Sequence, residues 1–310
     1  MPQNNPLVAQ KKKPINKMRI AFILCCITVP ILNWLIFYIY TNFSAFFMAF
    51  TNKDGVPSFD NFIRFFDEFR LETSDIRIAL KNTFITFGII LVSFPFKILV
   101  SYFIYKKIPM YNFFRIVFFF PTIIFSVAVT MVFTRLVGVQ GELAQWIGES
   151  LGLGYTPELL GDSRFANYVV WANLIWISFP GDLIIWGGTF ARIPTEVLES
   201  GRIDGVNWWG EFTQITLPMV WPTVGLQMVL MFCGIFSASG NVFLLTKGMY
   251  GTMTLSCWMY LQMYNNVGNQ DTSNVFNYLS AVGLVITVIA VTISLLIRRF
   301  TDKVFDEVEF

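Results

Sequence analysis

The sequence predicts an all-α integral membrane protein that folds as a bundle of six transmembrane helices. Apolar residues fill 55% of the 310 positions and charged residues only 14%, whereas soluble globular proteins carry roughly 25% charged residues. Six stretches reach the length of about 20 apolar residues that a helix needs to cross a bilayer core of about 30 Å. A chain with so few charges and 34 Phe is expected to face lipid over most of its surface.

Six predicted spans divide the chain into a transmembrane domain, 20–300, and two short tails, 1–19 and 301–310. The predicted spans are Ile20–Tyr40, Thr83–Tyr105, Phe113–Phe133, Tyr168–Gly188, Val220–Leu245 and Leu279–Ile297. The first is too long and too aromatic for a cleaved signal peptide, so we interpret it as a retained anchor. Prolines lie within or beside five spans, and neighbouring helices must satisfy the backbone groups that they free.

Basic residues predict the orientation of the bundle. Most of the 22 Lys and Arg lie in the N-terminus, after the second span, after the fourth span and at the C-terminus. Loops rich in Lys and Arg stay cytoplasmic. Both termini and the long loop 192–218 are therefore expected in the cytoplasm of a multi-pass protein.

The opposite side carries an amphipathic segment at 57–82. Phe59, Phe62, Ile63, Phe66 and Phe69 recur at helical spacing with charged residues between them. Two interpretations remain open. The segment is either a helix lying on the outer membrane surface or a small extracellular cap packed on the bundle.

Composition excludes several function classes. The chain contains no His, which removes His-based nucleophilic pairs, zinc sites and proton switches. The dipeptide Gly-Lys is absent, so no phosphate-binding loop of the Walker type is present. A net charge of +2 does not indicate a nucleic-acid partner. We expect no metal site, no catalytic residues and no cofactor, and we interpret the four Cys as apolar packing residues.

The loop 192–218 is the one long polar stretch between apolar spans. Pro194 suits the first turn of a helix, and Glu196 and Glu199 follow where a helix dipole favours acids. Gly205 supplies a turn with positive φ, and Asn207 is predicted to cap a second short helix. Pro218 and Pro222 are expected to redirect the chain into the fifth span. From these features alone, the loop is either a rigid cytoplasmic knob or an ordinary connector.

The same loop resembles the signature loop of binding-protein-dependent ABC importer permeases. That family has Glu-Ala-Ala, then Asp-Gly, then an aromatic residue and Phe, then Ile-x-Leu-Pro. The matching residues are Glu199, Asp204, Gly205, Trp208, Phe212, Ile215, Leu217 and Pro218. Ser200 and Gly201 replace the two Ala. The runs "FDNFIRFF", "ALKNTFITF" and "LLTKGMYGTMTLSCWMYLQMY" also look like segments of the maltose-type carbohydrate-uptake permeases.

This resemblance implies a six-helix permease bundle with a cytoplasmic coupling helix. The implied partners are a second homologous permease chain, two cytoplasmic ATPase subunits that bind the ATP, and an extracellular solute-binding protein. The implied location is a bacterial-type plasma membrane. The implied coupling residues are Glu196, Glu199, Ser200, Gly201, Asp204 and Gly205.

Polar residues within the spans are candidates for the solute pathway. The candidates are Asn173, Trp176, Asp182, Gln227, Ser239 and Asn241. Amides and an indole suit a sugar, but the carbohydrate assignment rests on the resemblance. For Lys97, two interpretations remain open, because it either snorkels towards the cytoplasm or pairs with Asp182.

An alternative function is an ion-coupled secondary transporter of a small polar solute. Such a transporter needs acidic or His relays within its spans, and Asp182 is the one candidate. A membrane enzyme is disfavoured, since the chain has neither His nor a clustered carboxylate pair at a membrane face.

Overall fold

The structure, a computed structural model, describes residues 17–237, 241–268 and 272–304. Over these ranges the elements are helical, and one isolated bridge joins Thr51 to Pro57. Five helices are long and apolar enough to cross a membrane, and a bent pair forms a sixth apolar segment. The all-α prediction is confirmed.

The spans are numbered along the chain from these helices. They are Phe22–Ala49, Asp75–Tyr105, the bent pair Tyr111–Pro121 and Ser126–Val137, Ala166–Phe190, Trp208–Cys233 and Thr272–Lys303. Shorter helices between them are Asp60–Arg70, Glu142–Ser150, Thr195–Ile203, Val242–Leu245 and Leu255–Asn266.

The third span is broken, which corrects the prediction of one straight helix over Phe113–Phe133. Its two helices meet at 99°. Pro121 lies near the end of the first helix, and Ile124 then adopts an extended conformation. A proline removes one backbone hydrogen bond and crowds the preceding turn, so a sharp bend commonly forms at such a site.

The fifth span begins at Trp208 instead of Val220, and it ends at Cys233 instead of Leu245. The expected second short helix is its first turn, because the helix runs on through Pro218 and Pro222 without redirection. A π-helical segment, Glu211–Thr216, ends two residues before Pro218. Its wider turn accommodates the ring of a proline, which a regular α-helical turn would crowd.

Other predicted boundaries also move. Segment 57–82 is two elements, because Asp60–Arg70 is a separate helix and the second span already begins at Asp75. The first helix begins at Lys17 and the last ends at Val304, so both predicted tails, 1–19 and 301–310, include helical residues. Polar turns at the ends of these helices extend them beyond the apolar stretch, which hydropathy alone does not detect.

Helix Asp60–Arg70 packs on the bundle through one face. Its Phe65 and Asn61 are buried, and the Tyr278 hydroxyl donates to Glu68 Oε2 over 2.5 Å. Of the five apolar residues that predicted this helix, four nevertheless remain exposed, namely Phe59, Ile63, Phe66 and Phe69. The helix is therefore a packed cap that also presents an apolar surface outward.

Two apolar cores occupy opposite ends of the bundle. One surrounds Phe87, Trp258 and Tyr278, and the other surrounds Tyr102, Trp186 and Phe212. The second core joins the ends of the second and fourth spans to the beginning of the fifth. Loop 192–218 is thus held at the end of the bundle that lies away from helix Asp60–Arg70.

Candidate coupling loop and polar interior

The candidate coupling loop contains a short helix, Thr195–Ile203, followed by a tight turn. Pro194 lies at the N-cap with extended backbone, one residue before the helix in which it was predicted. Gly205 has φ of +77°, a conformation that glycine adopts at no steric cost. Asn207 Oδ1 accepts a hydrogen bond from Gly210 N at 2.7 Å, so it caps the helix of the fifth span.

Five of the six predicted coupling residues lie on the exposed face of this loop. They are Glu196, Glu199, Ser200, Asp204 and Gly205. Gly201 instead is buried, and a Cβ built on it would lie 2.5 Å from Ile215 Cδ1. The missing side chain of Gly201 therefore admits the fifth span of this same chain, not an outside surface.

Glu211 is a functional candidate that the sequence analysis missed. Its side chain is 6% exposed, and its carboxylate accepts from the Tyr102 hydroxyl over 3.1 Å. The Lys106 ammonium contacts the same oxygen. Arg202 Nε lies 3.8 Å from the other oxygen. One carboxylate thus joins the end of the second span to the loop helix, which carries Arg202.

Aromatic rings reinforce this junction. Tyr102 and Phe212 have ring centroids 5.0 Å apart, and Phe103 and Trp208 have centroids 5.4 Å apart. Ring pairs at these separations stabilise a contact beyond their buried area. The loop is consequently packed firmly on the second span.

A buried ion pair lies within the bundle. Lys97 is 3% exposed, and its ammonium lies 2.8 Å from Asp182 Oδ2 and 2.9 Å from Ser178 Oγ. The pairing interpretation therefore holds, and the snorkelling interpretation of Lys97 is wrong. The pair joins the second span to the fourth at a point where lipid would penalise either charge alone.

A second polar cluster contains two of the predicted pathway residues. Asn241 Nδ2 donates to Thr130 Oγ1 at 2.8 Å and approaches Asn173 Oδ1 at 3.4 Å. Asn173 is fully buried, and its Nδ2 has no hydrogen-bond partner in the structure. Buried amides are normally satisfied, so this unpaired donor identifies a polar interior between the third and fourth spans.

The remaining pathway candidates are dispersed. Trp176 is 38% exposed and its ring lies 6.0 Å from that of Phe133, beside the Asn173 cluster. Gln227 is half-buried on the fifth span, and no hydrogen bond connects it to the cluster among the described residues. Ser239 lies outside the described residues.

Known proteins resemble this chain over most of its length. MsmF of Streptococcus mutans, a multiple sugar-binding transport system permease, is 23% identical over 279 residues, which cover 89% of this chain and 93% of MsmF. AraP of Bacillus subtilis, an arabinooligosaccharides transport system permease, is 25% identical over 289 residues, which cover 89% of this chain and 87% of AraP. No protein-family model matches.

Solved structures share the fold. A bacterial ABC transporter involved in alginate import has a chain that superposes with a TM-score of 0.76 at 21% identity, covering 93% of this chain and 97% of that one. In sequence and in fold, the chain therefore resembles the permease subunits of ABC importers. A bacterial alginate ABC transporter was also solved in complex with a periplasmic protein that carries an alginate pentasaccharide. Its chain superposes with a TM-score of 0.75 at 22% identity, covering 92% of this chain and 96% of that one.

The resemblance that the loop motif indicated is therefore confirmed over most of this chain. Its long apolar helices and its relatives identify a multi-pass membrane protein. One feature of the sequence could have identified Glu211, because this acid lies in an aromatic stretch between Trp208, Trp209 and Phe212. Its partner Tyr102 lies 109 positions away, and no local pattern predicts that contact.

Proposed function

We propose that this permease is the membrane subunit of a binding-protein-dependent importer for an oligosaccharide or related carbohydrate. Two relatives that match it over most of their length are named as sugar or oligosaccharide permeases. One structural neighbour was solved with a periplasmic protein that carries an oligosaccharide. The function rests on the site and the relatives together, since a fold alone does not determine function.

We propose further that two cytoplasmic ATPase subunits drive the permease through the loop helix. The single observation that supports this step is the division of that helix into two faces. Its acids Glu196 and Glu199 are exposed, as is Asp204 at its C-cap, whereas Leu198 and Gly201 are buried against the bundle. A helix anchored on one face leaves the other free for a groove on an ATPase.

Motion of the loop helix would reach the spans through two contacts. Gly201 packs against Ile215 of the fifth span, and Arg202 faces Glu211, which contacts Lys106 beyond the second span. Reversing a 1:99 equilibrium between inward-open and outward-open states requires about 5.5 kcal/mol of differential binding. Nucleotide-bound ATPases would supply that difference, and the permease itself would hydrolyse nothing.

The solute pathway would pass the polar interior around Asn173, Asn241 and Trp176. The unpaired amide donor of Asn173, a neighbouring amide and an aromatic face are the chemistry that binds sugar hydroxyls and sugar rings. A second homologous permease chain would complete the pathway, and an extracellular binding protein would deliver the solute.

The coupling role is tested by co-purifying the permease with its co-expressed ATPase. Glu199→Lys reverses a charge on the exposed face, and Gly205→Pro cannot adopt a φ of +77° because the proline ring holds φ near −65°. Both variants are expected to lose the ATPase while inserting normally in the membrane.

Matched controls lie at the other end of the bundle. Glu142→Lys changes an exposed acid in the first turn of another helix, and Gly55→Pro changes a turn glycine with φ of +75°. Both controls are expected to retain the ATPase. Equal co-purification from the loop variants and the controls would contradict the coupling role.

The carbohydrate assignment is tested by reconstituting the permease with its partner subunits and binding protein in liposomes. A panel of oligosaccharides is expected to stimulate ATP hydrolysis, and Asn173→Leu is expected to reduce sugar accumulation without reducing ATPase association. Uptake that follows a proton or sodium gradient and ignores nucleotide would support the secondary-transporter alternative instead.

A further inference from the structure

A cleft of about 360 Å³ opens between the second, third and fourth spans. Its mouth is formed by Tyr105 and Lys107, where the second span ends, and by Tyr111 and Arg115, where the third span begins. The neighbouring Lys106 contacts Glu211, so the mouth lies at the same end of the bundle as the loop helix. This end is the boundary between apolar spans and polar loops.

The mouth of the cleft is an unpaired cationic site. Lys107 and Arg115 are exposed, and neither makes an ion pair with any acid in the described ranges, in contrast to Lys106. Among the described residues, the hydroxyls of Tyr105 and Tyr111 also have no hydrogen-bond partner. Arg115 lies over the ring of Phe119, with Cζ 5.8 Å from the centroid. Two cations and two phenolic donors without a competing carboxylate match the oxygens of a phosphate group.

The interior of the cleft is apolar and partly open. Ile104, Leu183 and Ile184 line it. Gly187 and Gly188 also line it, and a Cβ built on either would meet no atom within 4 Å. An apolar gap between membrane helices accommodates a hydrocarbon chain. A lipid has such a chain, whereas a water-soluble phosphate compound does not.

We propose that this cleft binds an anionic phospholipid, with its phosphate at the Lys107–Arg115 mouth and an acyl chain along the glycine-lined gap. Basic pockets between transmembrane helices attract anionic headgroups where spans meet the aqueous phase. The lipid contacts three spans at once, so it stabilises their arrangement as a ligand stabilises any folded state that it binds. The site is separate from the loop helix and from the Asn173 cluster.

The test uses the full-length permease with its co-purified partner subunits, stripped of lipid in neutral detergent. Phosphatidylglycerol, phosphatidylcholine with the same acyl chains, and soluble glycerol phosphate are titrated separately. Thermal unfolding and native mass spectrometry measure binding. Phosphatidylglycerol is expected to raise Tm saturably and to remain bound, whereas the other two compounds leave Tm unchanged.

Two variants separate the mouth from the gap. Lys107→Gln with Arg115→Gln is expected to weaken phosphatidylglycerol binding by about tenfold to thirtyfold, the effect of two cations at a membrane surface. Gly187→Leu keeps both cations but fills the gap, and is expected to weaken lipid binding by about tenfold. The lipid-free Tm of each variant reports whether it is folded.

The control variant is Arg299→Gln with Lys303→Gln, which removes two exposed cations from the sixth span at the same end of the bundle. It is expected to bind phosphatidylglycerol as the wild type does. An equal loss in this control would overturn the site in favour of diffuse surface attraction. Equal stabilisation by glycerol phosphate or by phosphatidylcholine would also overturn it.

Discussion

At the scale of single residues, Glu211 connects elements that are distant in the sequence. Its carboxylate is buried and has a phenol, an ammonium and a guanidinium around it. A buried acid of this kind is stable only while its partners remain, because an unpaired buried charge is strongly unfavourable. Glu211 is therefore a positioning residue for the loop helix and not a residue that an ATPase needs to touch.

Glu211→Gln is expected to lower the free energy of unfolding by about 3 kcal/mol, because it leaves the Lys106 ammonium without its buried counter-charge. It is also expected to expose loop 192–218 to protease. Denaturation and limited proteolysis measure the two effects. The control Glu199→Gln removes an exposed acid and should change stability by less than about 0.5 kcal/mol. Equal behaviour of the two variants would rule out the positioning role.

Lys97 and Asp182 form the second residue-scale feature. Asp182→Asn alone is expected to destabilise the protein by about 3 kcal/mol, because it leaves the buried Lys97 charge unpaired. Lys97→Met alone is expected to cost less, because the Asp182 side chain is 26% exposed. The double variant Lys97→Met with Asp182→Leu is expected to recover most of this loss. A double-mutant cycle of unfolding free energies measures the coupling. Strictly additive losses would show that the pair contributes nothing.

At the scale of elements, two prolines have different effects because of their surroundings. Pro121 lies near the end of a helix that then breaks, whereas Pro218 follows a π-helical segment and the fifth span continues. The wider π turn removes the crowding that otherwise ends a helix. Sequence predicts that a proline disturbs a helix, but the adjacent backbone decides how.

Packing of the loop helix on the fifth span gives a prediction at this scale. Gly201→Ala gains up to about 1 kcal/mol of helix propensity but its Cβ meets Ile215 Cδ1, so we expect little net change in stability. The Ile215→Val variant lacks Cδ1, so this contact is absent from it. In the Ile215→Val background, Gly201→Ala is expected to stabilise the permease by about 1 kcal/mol.

The matched control is Gly88→Ala in the second span, where a new Cβ meets nothing within 4 Å. It should have the same effect on Tm with and without Ile215→Val. If Gly201→Ala also behaves identically in both backgrounds, the close approach of Gly201 to Ile215 is not what selects glycine at this position.

At the scale of the whole molecule, opposite ends carry different chemistry. Helix Asp60–Arg70 covers one end, and the loop helix with Glu211 covers the other. An apolar stretch of 18 residues within the first span contains no buried residue. The bundle therefore presents a large apolar surface, which suits contact with lipid and with the proposed second permease chain.

Orientation is the whole-molecule property that basic residues predict. In a variant without the native cysteines, Ser200→Cys is expected to react with a membrane-impermeant maleimide only after permeabilisation. The matched variant Ser163→Cys lies in an exposed loop at the other end and is expected to react in intact cells. Labelling at position 200 in intact cells would contradict both the orientation and the coupling role.

Local properties of the sequence predicted most of the fold and the coupling loop. Apolar runs located every span, although polar turns at the helix ends moved their bounds, and the third span proved to be bent. The Asp204–Gly205 turn and the Asn207 cap were predictable, because their backbone requirements lie within a few residues. The position of Glu196 in the first turn of the loop helix was predictable for the same reason.

The sequence by itself therefore determined that the chain is a helical membrane bundle, and its loop motif indicated the importer class. Only the tertiary structure decided which polar groups meet. Lys97 reaches Ser178 across 81 positions and Asn241 reaches Asn173 across 68. Hydrophobicity and backbone preference depend on near neighbours, but such contacts depend on how packed helices are rotated against each other. That rotation is a property of the assembled bundle, so no segment carries it alone.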